Sequence, residues 1–386
     1  MHVLHVIDSM HGGGAETSLL EMAPALLGHG VKTSIVTLLA DDGALEDRLD
    51  ALGLSPVRLN YRDPLRRIFE LRNVIRAENP DLVHTTLLFA NTTGRLAARA
   101  PRIPVVTTLA NEDYGPEHRS NSRYGSWSVR GVQAAEMLTA PLTTCFHAVS
   151  ADVATVMSGR LRIPADRIRV VYRGRDPARL GAATPARRLR ARAALSIDAE
   201  TPVVLSVARL DRQKGVDTTI DAFRHVITRR PDAVLLVAGR PGNASSVVRA
   251  KAAGRPEIRL LGHRDDVPDL MCAADVLSFP SRWEGLGGTL IEAMALRLPI
   301  VASDIAPLAE TIGDVGWPMV RPDDGAALAE ALLSALERDA VNEAKRDAGQ
   351  RRFRACFTAE AAADGMAGLY RDVLRGPRRH RCTSSS

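Results

Sequence analysis

The stretch that decides the fold is Asp275–Asp304, DVLSFPSRWEGLGGTLIEAMALRLPIVASD. Val276 to Phe279 is a short apolar run that stops at Pro280, the pattern of a buried strand. A loop rich in glycine and polar residues follows, from Ser281 to Gly288. Thr289 opens a helix with apolar positions at Leu290, Ile291, Ala293, Met294 and Leu298. Pro299 closes it, and Ile300 to Ser303 returns as a strand. Such a strand–loop–helix–strand unit builds a parallel sheet, and ligands of parallel sheets sit outside the carboxyl ends of the strands. The glycines let backbone approach a ligand, and the free N–H groups of the helix start favour an anion. Glu284 and Glu292 bracket the loop. Thr289-x-x-Glu292 also fits a capping box, which would make Glu292 a structural cap. That reading leaves Trp283, Glu284 and the glycines without a purpose. An ionised carboxylate accepts two vicinal sugar hydroxyls well.

The same plan repeats outward. Val203 to Val207 reads as a strand, and the loop after it carries Arg209 and Lys214. Two fixed cations five residues apart suit a diphosphate, whose negative charge grows as it leaves. Near the start, Val3 to Ile7 reads as a strand running into HGGGAETSLLEMAPALLGHG. Backbone N–H groups of Gly13 and Gly14 could meet a phosphate or an acceptor there. The pattern is not G-x-G-x-x-G, so the dinucleotide fingerprint is absent and a nicotinamide dehydrogenase is disfavoured. Strands and helices alternate through both halves, which predicts two doubly wound parallel sheets.

A chain of 386 residues with 45% hydrophobic and 25% charged content fits two soluble domains, each with its own core. Cys145, Cys272, Cys356 and Cys382 show no zinc or C-x-x-C spacing, so reduced intracellular thiols are expected. MHVLHVIDSM lacks a basic region followed by a long apolar core, so no leader is expected. No apolar run reaches about 18 residues, so no spanning helix is expected. The net charge is +6. Arginines concentrate at Arg62, Arg66, Arg67, Arg72 and Arg76, then at Arg95, Arg99 and Arg102. Aromatic residues make up only 4% and no nucleic-acid motif is present, so nucleic acid is not an expected partner. The arginines read either as a solvated surface or as an attraction to anionic lipid or an anionic acceptor. The expected location is cytoplasmic, with a peripheral position on the inner face of a membrane as the reading that goes with anionic lipid.

FPS-x-x-EG-x-G-x-x-x-x-EA, with its E-x(7)-E spacing, resembles the donor-sugar signature of retaining glycosyltransferases of the GT-B fold. That group includes glycogen-synthase-like enzymes and mannosyltransferases. The resemblance implies an α/β architecture of two Rossmann-like domains facing a cleft. It implies transfer of a hexosyl unit from a UDP- or GDP-sugar to an acceptor hydroxyl with retention of configuration. The acceptor would be a carbohydrate or a lipid-linked one, such as a glycolipid or an exopolysaccharide intermediate of the cell envelope. Glu284 would hold hydroxyls of the transferred sugar and Glu292 the ribose hydroxyls. The amides of Gly287, Gly288 and Thr289 would face the sugar and diphosphate. R-x(4)-K-G at Arg209 and Lys214 matches the family's diphosphate clamp, and GG-x-E at Gly13 and Gly14 resembles its first loop. G-x-R-x-D-V-P-x-L resembles the segment that holds the base, near His263 and Arg264. No D-x-D occurs, so neither a metal nor another cofactor is expected. A sugar-nucleotide epimerase of the same architecture and a non-catalytic sugar-nucleotide-binding protein are the alternatives.

The resemblance also implies the division of the chain. Residues 1–177 would form the acceptor domain and 201–355 the nucleotide-sugar domain, and 178–200, rich in Arg, Ala and Pro, reads as a linker with a short helix. Residues 356–375 would cross back as a helix, and 376–386 would be a disordered tail. Two departures stand out. Family members often carry a histidine after the strand Pro104–Leu109, where this chain has Ala110, Asn111, Glu112 and Asp113. Asn111 or Glu112 could line the same space. The usual N-G-V-D is Arg173-Gly174-Arg175-Asp176 here. Gly115 to Val132 reads as a long loop shaping the acceptor side, with Tyr124 and Trp127 available to stack on a sugar. His84 and His147 read as packed residues rather than catalysts.

Overall fold

The computed structural model describes residues 1–40, 43–116, 125–337 and 339–376. They form two contact units, Met1–Gly174 with the segment from Ala359 onward, and Arg175–Thr358.

The first unit holds β1 (His2–Ile7), β2 (Lys32–Thr37), β3 (Val57–Arg58), β4 (Leu82–Thr86), β5 (Val105–Leu109), β6 (Cys145–Ala148) and β7 (Ile168–Val170). All are parallel, in the order β3-β2-β1-β4-β5-β6-β7. Apart from the histidines of β1 and β4, the central strands are apolar or hydroxyl-bearing because helices cover both faces. The helices are punctuated locally. Pro64–Glu78 starts at Asp63, whose carboxylate accepts from the Leu65 N–H at 2.9 Å, and ends at Asn79 with φ 42°. Ala151–Leu161 starts on the Ser150 hydroxyl in the same way. The final helix, Ala359–Arg375, belongs to this unit. Its Met366, Ala367 and Tyr370 pack with Val3, Leu26, Leu82 and Val106.

Several expectations need correcting here. The helix Gly125–Thr139 begins inside the stretch read as a loop through Val132. Val129, Val132 and Glu136 recur at helical spacing, and ending the loop at Val132 cut that period. Tyr124 lies outside the described residues, as does the side chain of Trp127. His84 lies within β4, as a packed residue of the sheet. Arg67 and Arg95 are buried, so neither adds to a basic surface.

The second unit holds β8 (Val203–Val207), β9 (Val234–Ala238), β10 (Ile258–Gly262), β11 (Val276–Phe279), β12 (Ile300–Ser303) and β13 (Met319–Val320). They are parallel, in the order β10-β9-β8-β11-β12-β13. The first strand of this unit therefore lies beside its fourth. The chain reverses its winding there, leaving a crevice outside the carboxyl ends of β8 and β11. Val204, Leu235 and Val276 pack with Ile220, Phe223, Leu328 and Leu332 to fill one face. Among the described residues no helix is long and apolar enough to cross a membrane.

Residues 178–200, expected to be a linker, are part of this unit's packing. The helix Pro185–Ala194 lies against the helix Val267–Ala273. Arg188 donates to Asp275 Oδ1 at 2.6 Å and Arg192 to Asp275 Oδ2 at 2.7 Å. Arg192 also donates to the carbonyls of Ala273, Asp198, Ala199 and Thr201. Composition alone hid this, because an arginine-rich helix looks solvated until its acidic partner is known. Removing Asp275 leaves the Arg192 guanidinium buried without an acid, and removing Arg192 leaves Asp275 with Arg188 alone and four carbonyls without their donor. Arg192→Ala or Asp275→Ala should therefore cost about 3–5 kcal/mol in urea unfolding. A loss below about 1 kcal/mol in both variants would show that the pair is not structural.

Candidate functional site

The loop after β8 and the loop after β11 are tied together at the winding reversal. The Arg282 N–H donates to the Gln213 carbonyl at 2.7 Å, and Gln213 Nε2 donates to the Trp283 carbonyl at 2.8 Å. The Arg282 guanidinium lies between Asp217 Oδ2, at 2.9 Å, and Asp323 Oδ1, at 2.6 Å. Those two carboxylates hold it well above the usual arginine range, against the opposing effect of burial. Gly215 has φ 63°, and a Cβ there would strike the Pro280 carbonyl. The close approach of the two loops thus requires glycine.

This docking brings Lys214 and Glu284 into contact, Nζ to Oε1. Glu284 is buried and also accepts from the Ser281 hydroxyl at 2.9 Å. An ammonium and a carboxylate thus stand together at the carboxyl edge of the sheet. Arg209 lies on the same loop, but it is largely exposed and its guanidinium pairs with Asp211.

The helix after the β11 loop starts at Gly288, with Gly287 at φ 83° as its cap and no side-chain cap. The capping box is therefore not formed, and Thr289 does not cap. Glu292 instead accepts from Arg175 Nε at 2.7 Å, and Arg179 NH2 stands 3.6 Å away. A Cβ at Gly288 would collide with the Arg175 guanidinium, so the glycine makes room for this pair. Arg175 is one of the departures from the family pattern noted in the sequence. Its role was hidden by separation, since it lies 117 positions from Glu292. The acid at the helix start was the available signal.

His263 and Arg264 follow β10, two strands from β8, at the same edge of the sheet. His263 Nε2 is 3.4 Å from Asp265 and 3.4 Å from Arg240. Arg264 donates to Asp266 at 2.7 Å, and that bond holds the Asp266 carboxyl below its usual range.

In the first unit, Gly13 caps the helix Gly14–Gly28 with extended backbone, and the buried Glu16 carboxylate folds back against it. Ser18 donates to the Gly14 carbonyl at 2.7 Å. A separate cavity of about 440 Å³ opens near the ends of β1, β4 and β5. Leu88, Leu109, Val129, Val132 and Met157 give it apolar walls. Its polar wall is a network the sequence did not suggest. Glu136 accepts from Tyr114 Oη at 2.9 Å and Asn91 Nδ2 at 3.1 Å, with the buried Arg95 at 3.4 Å. Among the described residues, Asn91 Oδ1 is buried without a hydrogen-bond partner. Asn111 Oδ1 is likewise unpartnered, and Glu112 stands 3.9 Å from Arg160.

The histidines of this unit are structural. His147 Nε2 lies 2.9 Å from the Val171 carbonyl, which can only accept, so that nitrogen carries the proton. Thr108 then donates to His147 Nδ1 at 3.0 Å and accepts from His84 Nε2 at 2.7 Å. Tyr370 completes the line by donating to His84 Nδ1 at 2.6 Å. Burial holds His147 down to about 4 and His84 well below its ordinary value, so both are neutral.

Two carboxyls on the cavity are displaced the other way. Burial pushes Asp8 up to about 6, against the N–H groups of Ala90 and Phe89. Burial and then the charge of Glu136 push Asp113 up to about 7, against the pull of Arg160. Folded Asp113 therefore keeps a proton that the unfolded chain releases near 3.8. Its cost to stability grows as pH rises through that window and levels off above about 7. Asp113→Asn should gain about 1–2 kcal/mol on the parent between pH 4 and pH 8. A difference that stays flat with pH, measured by thermal unfolding, would refute this.

The comparisons with known proteins meet this geometry. Residues 12–179 match the model of Glycosyltransferase Family 4, and residues 201–338 match that of Glycosyl transferases group 1. The structure superposes on Anabaena HepE, solved in complex with UDP and glucose, with a TM-score of 0.83 and 20% identity. That match covers 96% of this chain and 99% of the other. The chain belongs to the GT-B glycosyltransferases. Among curated GT-B relatives, alpha-D-kanosaminyltransferase of Streptomyces kanamyceticus is 29% identical over 229 residues, 56% of this chain and 57% of the relative. The lipopolysaccharide core mannosyltransferase LpsB of Rhizobium meliloti is 28% identical over 201 residues, 50% of this chain and 57% of the relative. The match thus spans just over half the length of each of these two glycosyltransferases.

Proposed function

We propose that the protein transfers a hexosyl unit from a UDP- or GDP-sugar to an acceptor hydroxyl, with retention and without a metal. The observation that carries this reading is the meeting of Lys214 and Glu284 at the winding reversal of the second unit. A donor sugar needs a cation for its diphosphate and a carboxylate for its hydroxyls within one small space. The Gly288 helix start adds unpaired N–H groups beside them. Glu292, held by Arg175, takes the ribose hydroxyls, and His263 and Arg264 sit toward the base. Arg209 joins Lys214 on the diphosphate once it leaves Asp211. Gly13 and Gly14, at a helix start of the first unit, offer backbone N–H groups to a phosphate.

In the reaction, the bond between the anomeric carbon and the phosphate oxygen breaks. A bond from the acceptor oxygen to that carbon forms on the same face. The leaving phosphate oxygen takes the acceptor's proton. Lys214, Arg209 and the helix amides stabilise the charge that grows on the diphosphate.

The acceptor binds on the first unit, where the cavity beside Asn111 and Glu112 offers apolar walls and the unpartnered Asn91 oxygen. That mixture suits a hydroxyl carried on a glycolipid or cell-envelope intermediate. The mannosyltransferase relative named for lipopolysaccharide core biosynthesis supports the same class.

Lys214→Ala and Glu292→Gln should each lower release of nucleoside diphosphate from the donor by about 100-fold or more. Each variant leaves a buried partner, Glu284 or Arg175, without its counter-charge, so far-ultraviolet circular dichroism at the assay temperature should match the parent even where the melting temperature falls. UDP or GDP should raise the melting temperature of the parent and lose that effect in Lys214→Ala. Full turnover in both variants would reject the site.

A further inference from the structure

The helix Pro64–Glu78 carries more than its packing needs. Its inner face is Arg67, Leu71 and Ile75, all buried. At 100° per residue, Leu65, Arg66, Phe69, Arg72, Asn73 and Arg76 fall within an arc of about 120° on the opposite side, and Arg62 lies in the segment just before the cap Asp63. Leu65 is 77% and Phe69 56% exposed. Arg62, Arg66 and Arg76 are exposed, and Arg72 is half-buried. No acid lies in the arc. Asp63 is occupied as the helix cap, and Glu78 lies on the far side, where Ser34 donates to it at 3.5 Å. Among the described residues none of these four arginines forms an ion pair.

We propose that this face docks the protein on an anionic lipid bilayer, with Leu65 and Phe69 entering the acyl boundary and Arg62, Arg66, Arg72 and Arg76 on lipid phosphates. The charge fits: Glu70 flanks the arc beside Arg66 without pairing with it among the described residues, and four guanidinium groups against that one carboxylate match a surface of fixed negative phosphates. The apolar pair decides between partners. An anionic polymer would neutralise the arginines but leave Leu65 and Phe69 in water. A bilayer interface accepts both at once, with arginine stems lying along the apolar layer. The helix lies flat on the surface, since its inner face stays packed on the sheet. The inference does not depend on the transfer reading, because binding is measured without donor or acceptor.

The full chain is mixed with vesicles of phosphatidylglycerol and phosphatidylcholine, or of phosphatidylcholine alone, and sedimented at low and high salt. Binding is expected on the anionic vesicles only, weakening with salt. Arg66→Glu with Arg76→Glu should lower partitioning by at least ~25-fold, taking ~5-fold for each arginine lost. Phe69→Ser should also weaken it, while Arg249→Glu, on an exposed helix of the other unit, should leave it unchanged. Phe69→Trp should show, relative to the parent, an added emission that shifts to the blue on anionic vesicles. All variants change exposed positions, and far-ultraviolet circular dichroism checks that they fold. Absence of binding to anionic vesicles would overturn the proposal, as would binding that the double variant leaves intact. Emission from the Phe69→Trp variant that stays unshifted would overturn it too, as would heparin or RNA binding that Phe69→Ser leaves as strong as the vesicle binding.

Discussion

The second unit depends on how closely two loops can approach outside β8 and β11. Each loop follows a strand, so each arrives at the carboxyl edge with backbone groups that no ladder satisfies. They satisfy one another instead, through Gln213, Arg282 and Trp283. Arg282 adds two acidic partners, one on the helix after β8 and one beyond β13. The site residues are thereby held on a rigid sheet edge rather than on free loops. This fixes the placement of Lys214 and Glu284 and leaves little for a ligand to organise on binding.

The helix start behind that pair follows the same economy of space. Gly287 supplies a left-handed cap, and Gly288 supplies the volume into which the Arg175 guanidinium fits. Arg175 reaches this position because its backbone bridges to Thr358 and its N–H donates to the Phe357 carbonyl at 2.8 Å. The two passages of chain that bound the second unit are thus pinned next to each other, and one of them orients Glu292. A carboxylate fixed by an arginine keeps its second oxygen for a neutral donor such as a hydroxyl.

The first unit uses its polar core differently. The line from Tyr370 through His84, Thr108 and His147 to Val171 satisfies every ring nitrogen of those two histidines and fixes their tautomers. It joins the final helix to the sheet, so the last segment of the chain is bonded into the unit formed by the first. Glu136 performs a similar service at the cavity wall, gathering Arg95, Tyr114 and Asn91. The difference lies in what is left over. The histidine line has no spare capacity, whereas the cavity retains Asn91 Oδ1 and two carboxyls that burial makes weaker acids.

The sequence by itself determined the alternation of strands and helices, because a buried parallel strand must read as an unbroken apolar run and its helix as a 3.6-residue stripe. It also determined the glycine-rich loop between Glu284 and Glu292 and the Arg209–Lys214 spacing, because those groups lie close together along the chain. Only the tertiary structure decided what each of them touches. Glu292 proved to be the partner of Arg175 and not a cap, and Lys214 rather than Arg209 proved to face Glu284. Arg192 left the expected linker to be buried on Asp275. Arg67 and Arg95 left the apparent basic patch for the interior. In each case the partner is far away in sequence or is hidden by the ambiguity of a long, flexible cation. Arginine reads the same on paper whether it is solvated or buried. Its acid, its carbonyls and the glycine that makes room for it come together only when the sheet order is set.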